Sequence, residues 1–503
     1  MTLRSFTLDD LVRRNAGRHA ARTAFRLGER VVTHAEYADR VGRLAGGLAR
    51  AGVGVGDRVA VLAPNALEFC DLFGAAARLG AILVPINARL SAEELAHVVA
   101  DASPRVLVAA PALRASLEAA AAPAGGRFVI GAADGGWTAF DALYEGEAHT
   151  APAPVDDDAG LLIVHTAAVG GRPRGALLTH RGLLVAAEHC AGLWGLTEDD
   201  VHVGVLPLFH LAGVGLMLAV QLAGGATLLL PRFDPDTLAA DVDRHRGSVI
   251  GTFPPMLSQL LDAAGRVGAT LSSLRVATGI DVPDTLSRFQ GACPGAAFWV
   301  GYGQTETSGM VSLSPFSERP GSAGRPVPLC AVAIVDDEDR PLPAGAAGEI
   351  VVRGPTVFGG YWGLDDDNAA TFRGGWHHTG DLGRLDADGY LWYQGRSPAK
   401  ELIKPGGENV YPAEVERTLR EHPAIAEAVV FGVRDPQWGE AVEAACETRA
   451  GVPTPAADAL IEFVGSRIAR YKRPRRIHFV AELPRTAAGA VDRAAVKAAH
   501  GAI

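Results

Sequence analysis

The chain has 503 residues, 48% of them hydrophobic and 21% charged, so it is long enough to bury more than one hydrophobic core. Its formal net charge of −10, with no basic run interleaved with aromatic residues, argues against nucleic acid as the main partner. Five scattered cysteines without a CxxC pair argue against a structural zinc site and a secreted disulfide framework, and they favour a reducing, cytoplasmic setting.

The N-terminal segment predicts a helix rather than a targeting signal. Residues 1–20 lack the apolar core of a signal peptide, and Thr7 and Asp10 have the spacing of a helix capping box. The most apolar stretch of the chain, residues 213–230, is interrupted by a glutamine and by a pair of glycines. It therefore predicts a buried helix followed by a buried strand, and no membrane span.

Short apolar runs rich in β-forming residues alternate with alanine-rich helical segments in the first two thirds of the chain. The clearest of these runs are 58–62, 106–110, 161–164, 226–230 and 248–252. This alternation is typical of mostly parallel sheets wrapped by helices.

The pattern changes further along the chain. Residues 331–335, 348–353 and 389–394 are separated by clusters of Asp, Gly and Pro, which predict a small antiparallel sheet. The stretch 395–398 is typical of a linker, and the segment after it has its own βα pattern.

These patterns predict an α/β fold with two domains and a hinge. The large N-terminal domain spans residues 1–395 and includes a small β-rich subdomain at about 330–395. The hinge spans residues 396–400, and a mobile α+β C-terminal lid spans 401–503.

Seven short motifs occur in one order along the chain. They are the glycine-rich loop at 166–175, LPLFH at 206–210, GYGQTE at 301–306, GSAGRP at 321–326, GWHHTGDLG at 375–383, GRSPAKELIKPGGENVYPAEVE at 395–416, and YKRP followed by LPRTAAGAVDR near the end. In this order and spacing they resemble the adenylate-forming acyl-CoA ligases, whose superfamily (ANL) also contains amino-acid adenylation domains and firefly-type luciferases. The resemblance implies two half-reactions in one site: a carboxylic acid and MgATP form an acyl-adenylate, and coenzyme A then attacks its carbonyl.

The resemblance implies roles for the residues around the nucleotide. Asp381 matches the carboxylate that accepts the ribose hydroxyls, Tyr302 the aromatic ring on adenine, and Arg396 the ribose contact at the hinge. Further implied contacts to the adenylate are Gly279, Gly301, Gly303 and Thr305, the last to the α-phosphate. Glu306 matches the ligand of Mg²⁺, which is a possible but dispensable cofactor. The segment TGIDVP at 278–283 is about two residues shorter than the family's GGAP-like turn, which leaves Ile280 and Asp281 without an assigned contact.

The resemblance also implies an acyl pocket and a path for coenzyme A. The acyl pocket is expected at Phe209, His210, Gly213 and Trp299, and the apolar residues of these segments favour an aryl, alicyclic or medium-sized hydrophobic acid. No aspartate follows Phe209, which argues against an α-amino acid. Lys404, Gly406 and Gly407 match the coenzyme A contacts, where a missing Cβ lets pantetheine approach the backbone. His210, Thr305 and Glu306 are the expected catalytic residues.

Two departures from the family motifs affect the same half-reaction. Ala167, Ala168 and Val169 stand where a phosphate loop offers hydroxyl groups, and Ala490 stands where the family has a lysine that bridges the carboxylate and the α-phosphate. Because adenylation joins two anions, losing these donors and this cation is expected to slow it by on the order of 10⁴-fold. Transfer from an acyl-adenylate to a thiol needs none of them.

The sequence therefore favours an enzyme that transfers the acyl group of a preformed hydrophobic acyl-adenylate to coenzyme A, with a separate adenylating ligase supplying the adenylate. One alternative is a complete two-step ligase in which Arg174 or Lys472 compensates, or in which Ala490 results from engineering. Another is a pseudoenzyme that binds an adenylate.

Overall fold

The computed structural model describes residues 5–118, 120, 123–166, 172–396, 402–486 and 491–501. Two large sheets form the N-terminal part. Their strands are β1 (Thr23–Leu27), β2 (Arg30–Thr33), β3 (Arg58–Leu62), β4 (Ile82–Pro85), β5 (Val106–Ala109), β6 (Arg127–Val129), β7 (Thr138–Ala139), β8 (Gly160–Thr166), β9 (Arg174–Thr179), β10 (Val201–Gly204), β11 (Ala226–Leu229), β12 (Val249–Thr252), β13 (Val276–Gly279), β14 (Ala297–Gln304), β15 (Gly309–Pro315) and β16 (Arg325–Pro326).

Both sheets are parallel in their interior; the nine-stranded sheet is antiparallel at both edges and the seven-stranded sheet at one. One sheet has the order β16-β15-β14-β13-β12-β10-β11-β1-β2, and the other has the order β7-β6-β5-β3-β4-β8-β9. Strands such as β4, β5 and β12 are buried at every position, as expected for strands covered by helices on both faces. The predicted mostly parallel architecture is confirmed, and the five predicted apolar runs all contain strands.

Helices pack against both sheets. They are α1 (Leu8–Arg18), α2 (His34–Arg50), α3 (Leu67–Leu79), α4 (Ala92–Ala102), α5 (His180–Trp194), α6 (Leu211–Ala223), α7 (Pro235–His245), α8 (Met256–Val267) and α9 (Pro283–Ala292). The capping box predicted at Thr7 and Asp10 begins α1. The apolar stretch near residue 220 is α6 followed by β11, also as predicted. In the part of the chain that the structure describes, no helix has both the length and the apolarity needed to cross a bilayer.

The β-rich segment after residue 330 is a five-stranded antiparallel sheet. Its elements are β17 (Ala331–Val335), β18 (Gly348–Arg353), α10 (Asp365–Thr371), β19 (Phe372–Arg373), β20 (Trp376–Leu385) and β21 (Leu391–Arg396). Strands β20 and β21 form a hairpin whose register places Asp381 opposite Arg396. The hairpin thereby joins two residues that the sequence assigned to the nucleotide from separate motifs.

The C-terminal domain has its own small core. Its elements are α11 (Pro412–Arg420), β22 (Ile425–Asp435), β23 (Gly439–Thr448), α12 (Ala457–Gly465), β24 (Arg476–Val480) and α13 (Arg493–His500). Strands β22 and β23 are antiparallel, and β24 lies parallel to β23. Val430, Ala444 and Leu460 are fully buried in this core, so the domain has a hydrophobic centre separate from those of the two large sheets.

A buried ion cluster docks the C-terminal domain on the N-terminal part. Lys472 Nζ lies 2.5 Å from Glu94 Oε1 and 2.8 Å from Glu414 Oε1, and its side chain is 1% exposed. The backbone amide of Ala469 also donates to Glu94. In this docked arrangement Lys472 is therefore held between two carboxylates, and it is not among the described residues that line the large cavity at the domain boundary. Lys472 thus does not take the place of the missing lysine in this arrangement.

Replacing Lys472 with methionine is expected to destabilise the docked protein. Two carboxylates would remain buried without their cation, and breaking a buried pair in this way costs about 3–5 kcal/mol. Denaturant unfolding followed by fluorescence measures the loss. The triple variant Lys472→Met, Glu94→Gln, Glu414→Gln should recover most of it, since no buried charge remains. An unchanged unfolding midpoint for Lys472→Met alone would contradict the expectation.

Candidate active site

A cavity of about 2190 Å³ lies between the ends of the two large sheets, the β20–β21 hairpin and the C-terminal domain. Residues that the sequence assigned to different motifs meet on its wall. The predicted site residues that line it are Phe209, His210, Gly279, Gly301, Tyr302, Gly303, Thr305, Glu306, Asp381, Arg396, Lys404, Gly406 and Gly407. Ala167, Ala168, Val169 and Ala490 lie outside the described residues.

Asp381 is the centre of a buried polar network. Its Oδ2 accepts hydrogen bonds from the Tyr302 hydroxyl and the Gln304 side-chain amide, both at 2.6 Å. Its Oδ1 lies 2.9 Å from Arg396 Nε as an ion pair, but the two atoms are not aligned as a hydrogen bond. Asp381 is only 2% exposed, so Oδ1 is a buried carboxylate oxygen without a hydrogen-bond donor among the described residues. It is suited to accept from hydroxyl groups of a bound molecule.

Tyr302 presents an aromatic surface beside this carboxylate. Its ring stacks on Tyr393 at 5.9 Å between centroids and an interplanar angle of 27°. Burial, reinforced by Asp381, raises the pKa of the Tyr302 phenol well above its ordinary value, so the hydroxyl stays protonated and donates to Asp381. Gln304 and Tyr393 complete this part of the site, and neither was singled out in the sequence.

Glu306 follows the strand that carries Tyr302. Its Oε1 accepts from the Tyr361 hydroxyl at 2.8 Å and from Thr166 Oγ1 at 3.4 Å. Mg²⁺ usually takes one or two carboxylates together with phosphate oxygens, so this single carboxylate at the cavity wall fits an ion that arrives with a nucleotide.

Arg174 lies close to Glu306 but has partners of its own. Its Nη1 pairs with Asp367 at 2.8 Å, and its guanidinium lies 3.9 Å from the centroid of the Tyr361 ring. Arg174 lines the cavity and donates to the same Tyr361 hydroxyl that bonds Glu306, so it is available to a phosphate beside Glu306.

Neutral residues form one end of the cavity, between α5, α6, β14 and β15. Phe209 is packed against His210, with 4.8 Å between ring centroids. The other members of this apolar wall are Cys190, Trp194, Leu216, Val300 and Met310. No charged side chain is among these, so this end of the cavity suits an uncharged hydrophobic group.

Two residues predicted in the acyl pocket lie behind its wall instead. Gly213 packs against the LPLFH backbone: a Cβ built on it would lie 2.4 Å from the carbonyl oxygen of Pro207. Trp299 packs edge-on against Trp194, with 6.4 Å between ring centroids, and it is Trp194 that reaches the cavity. Adjacent positions on a helix or strand point in different directions, and the motif does not show which of them faces the ligand.

The turn after β13 shows why a glycine stands at 279. Its φ is +139°, and a Cβ would lie 1.9 Å from the carbonyl oxygen of Thr252. The following residues, Ile280 and Asp281, also line the cavity, although the sequence assigned them no contact. Burial raises the pKa of Asp281, whose Oδ2 has no hydrogen-bond partner among the described residues.

Gly406 and Gly407 bring the C-terminal domain to the cavity wall. Their φ values are +57° and +86°, and a Cβ on either would lie 2.9 Å from a ring atom, of Trp438 for Gly406 and of Phe253 for Gly407. The backbone here therefore packs closely against two aromatic rings where it borders the cavity, and a Cβ is not accommodated at either position unless the ring shifts.

Replacing Gly407 with alanine is expected to slow the thiol transfer that the family resemblance implies roughly tenfold, since a left-handed backbone costs a residue with a Cβ about 1–2 kcal/mol. The affinity for acyl-AMP, which the resemblance assigns to the residues around Asp381, should be unchanged. Gly465→Ala is the matched control in the same domain, because its Cβ would make only an ordinary 3.4 Å contact with Arg473. Stopped-flow transfer from synthetic acyl-AMP to coenzyme A measures the effect; equal rates in the two variants would contradict it.

Lys404 is a partly buried cation in the same wall. Its backbone amide donates to Glu440 Oε2 at 2.6 Å, whereas its ammonium has no ion-pair partner among the described residues. Burial lowers the pKa of Lys404, and the nearby Arg396 lowers it further. Lys404 is thus available to an anionic ligand in the cavity.

His210 contacts the C-terminal domain directly. Its Nε2 lies 3.2 Å from Glu408 Oε1, and the same carboxylate oxygen also pairs with Arg89. Burial alone would raise the pKa of Glu408, but His210 and Arg89 together hold it below its ordinary value. Sequence reasoning singled out neither Glu408 nor Arg89. The only available signal was the position of Glu408 directly after the glycine pair.

Comparisons with known proteins cover nearly the whole chain. Residues 12–362 match the AMP-binding enzyme family, and residues 414–490 match the AMP-binding enzyme C-terminal domain. An indoleacetate–CoA ligase from Aromatoleum aromaticum is 37% identical over 97% of this chain and 96% of its own. A feruloyl-CoA synthase from an Amycolatopsis species is also 37% identical, over 95% of this chain and 96% of its own.

A solved structure is similar over both domains. A double mutant of the o-succinylbenzoate CoA synthetase from Bacillus subtilis, bound to its product analogue OSB-NCoA, superposes with a TM-score of 0.85. It is 29% identical, and the match covers 97% of this chain and 98% of that one. The likeness therefore includes the relation between the large and the small domain.

Proposed function

The chain belongs to the AMP-binding enzymes, the family that includes the acyl-CoA ligases, and from this membership we propose that it converts a hydrophobic carboxylic acid into its coenzyme A thioester through an acyl-adenylate. One observation carries the proposal: a single cavity joins a ribose-type acceptor at Asp381, an uncharged end at Phe209 and a glycine-lined passage at Gly406 and Gly407. These three parts correspond to the three parts of the reaction, which are nucleotide, acyl group and thiol.

The residues around Asp381 hold the AMP part. Asp381 Oδ1 accepts from the ribose hydroxyls, Arg396 forms an ion pair with this carboxylate, and Tyr302 offers its ring to the adenine. Thr305 contacts the α-phosphate, and Lys404, which the sequence assigned to coenzyme A, lines the same cavity near Arg396 and Asp381, where it also reaches the α-phosphate. An Mg²⁺ ion, when bound with ATP at Glu306, neutralises phosphate charge.

The acyl group lies against Phe209, Trp194 and Met310. The uncharged wall excludes a second carboxylate and favours an aryl or other hydrophobic acid, in keeping with the indoleacetate and ferulate named for two relatives. In the lid orientation of this structure, Gly406 and Gly407 border the passage through which pantetheine would reach the carbonyl. We assign this arrangement to the thiol-transfer half of the reaction.

We favour the complete ligase over the half-reaction enzyme. Both relatives are named for the joining of an acid to coenzyme A, and the comparisons give no support to a separate adenylating partner. Arg174 lines the cavity near Glu306, and the Lys404 ammonium has no ion-pair partner among the described residues, so two basic side chains are available to the phosphate. They are the groups that would partly offset Ala490.

Transfer from a preformed adenylate alone is the second candidate. It rests on Ala490 and on the loop containing Ala167, Ala168 and Val169, which has no hydroxyl side chain between Thr166 and Gly175. Adenylation needs several donors around the β- and γ-phosphates, whereas an acyl-adenylate contains neither.

The two candidates are separated by supplying the substrates in two ways. Indole-3-acetate or ferulate with ATP and coenzyme A tests the complete reaction, and ATP–pyrophosphate exchange reports adenylation alone. Synthetic acyl-AMP with coenzyme A tests transfer. Thioester from both routes supports the complete ligase, and thioester from acyl-AMP only supports the half-reaction. Binding of acyl-AMP without thioester by either route would refute both and support an adenylate-binding pseudoenzyme.

A further inference from the structure

Thiol transfer poses a problem of proton removal. A thiol with an ordinary pKa of about 8.5 is mostly protonated at neutral pH, and the thiolate is the nucleophile. A base near the thiol passage would increase the reactive fraction. The titratable groups at the nucleotide end, Asp381 and Glu306, already accept hydrogen bonds from tyrosine hydroxyls.

His210 differs from them in position and in bonding. It precedes the first residue of α6, lines the cavity beside Phe209, and has a side chain that is 39% exposed. Only its Nε2 is engaged, by Glu408, while Nδ1 makes no hydrogen bond to any described residue. A carboxylate at Nε2 keeps the proton on that nitrogen and leaves the lone pair on Nδ1.

Glu408 comes from the other domain. It follows Gly407, so the segment that borders the thiol passage also delivers the carboxylate to His210. Glu408 is 5% exposed and also contacts Arg89 of the N-terminal part. The charged and titratable groups around His210 are thus Glu408 and Arg89, with Tyr471 beyond the carboxylate.

Building on the proposed function, we infer that His210 is the base that accepts the proton of the coenzyme A thiol, and that Glu408 is a positioning residue that orients it only when the C-terminal domain is docked. The S–H proton moves to Nδ1 as sulfur bonds to the carbonyl carbon. The bond between that carbon and the phosphate oxygen then breaks, and AMP leaves with the electron pair. The imidazolium returns its proton to solvent. Coupling the base to docking restricts thiol activation to the state in which the passage is formed.

The test is single-turnover transfer from synthetic acyl-AMP to coenzyme A between pH 6 and 10. His210→Ala is expected to lower the rate at pH 7 by about 100-fold, the low end of general-base effects. This deficit should shrink by about tenfold per pH unit and disappear above the thiol pKa, because the thiolate then forms without a base. Glu408→Gln should show a smaller deficit, roughly tenfold, with the same recovery.

A role in packing or gating would instead give a deficit that does not change with pH. Such a constant deficit, or no deficit, would overturn the inference. His210→Gln keeps a hydrogen-bonding group near Glu408 but cannot accept the thiol proton. It should show the same deficit as His210→Ala if His210 is the base, and the rate of the unmodified protein if only the contact with Glu408 matters. His245→Ala on α7, outside the cavity lining, is the control. If the unmodified protein forms no thioester from acyl-AMP, the proposed function fails. If the unmodified protein and His210→Ala form thioester at equal rates, only the inference about His210 fails.

Discussion

Replacing Ala490 with lysine is expected to raise the rate of ATP–pyrophosphate exchange by about 10- to 100-fold. Hydrogen bonds to charged groups contribute about 1.5–3 kcal/mol, and lowering the activation free energy by about 1.36 kcal/mol raises a rate tenfold. The new ammonium would bridge the attacking carboxylate and the α-phosphate as they approach. The rate of transfer from acyl-AMP to coenzyme A should change by no more than about twofold, since that step does not bring a carboxylate anion up to a phosphate anion as adenylation does. Ala498→Lys, at an exposed position of α13, controls for the added charge.

Restoring the phosphate loop as well should raise exchange further. The variant adds Ala167→Ser, Ala168→Gly and Val169→Thr to Ala490→Lys, which returns hydroxyl donors for the β- and γ-phosphates. If the unmodified protein already exchanges at an ordinary rate and Ala490→Lys leaves that rate unchanged, the cations already in the cavity suffice. Arg174→Ala and Lys404→Ala would then be expected to abolish exchange.

Replacing Asp381 with asparagine is expected to lower kcat/KM for acyl-AMP by about 100- to 1000-fold, since a charge-assisted acceptor is lost and Arg396 is left buried without its partner, a change worth about 3–5 kcal/mol. The loss should appear in both half-reactions, because both bind the AMP moiety. Steady-state kinetics with acyl-AMP and calorimetric binding of AMP measure it.

Asp388→Asn is the matched control for this substitution. Asp388 lies on the same β20–β21 hairpin, but its side chain is 63% exposed and pairs with Arg319 at the surface. Exposed pairs of this kind contribute about 0–1 kcal/mol. A kcat/KM for Asp381→Asn equal to that of Asp388→Asn would show that Asp381 does not hold the nucleotide.

Local sequence patterns predicted much of the fold. The capping box at Thr7 and Asp10, the strand at Arg58–Leu62 and the helix before β11 depend on interactions within a few residues, and all are present in the structure. The family resemblance is likewise confirmed by matches over both domains. The acyl pocket was less predictable: Gly213 and Trp299 lie behind the wall, because a motif does not record which side of an element faces the cavity.

The sequence by itself determined the fold class, the family and the two departures at the phosphate loop and Ala490, because each is written in contiguous residues. Only the tertiary structure decided which distant groups meet. His210 and Glu408 are 198 positions apart, and Lys472 meets Glu94 across 378 positions. Such contacts depend on how one domain docks on the other, which local propensity and motif spacing do not encode. For that reason the partner of His210, the burial of Lys472 and the unsatisfied oxygen of Asp381 emerged only from the folded chain.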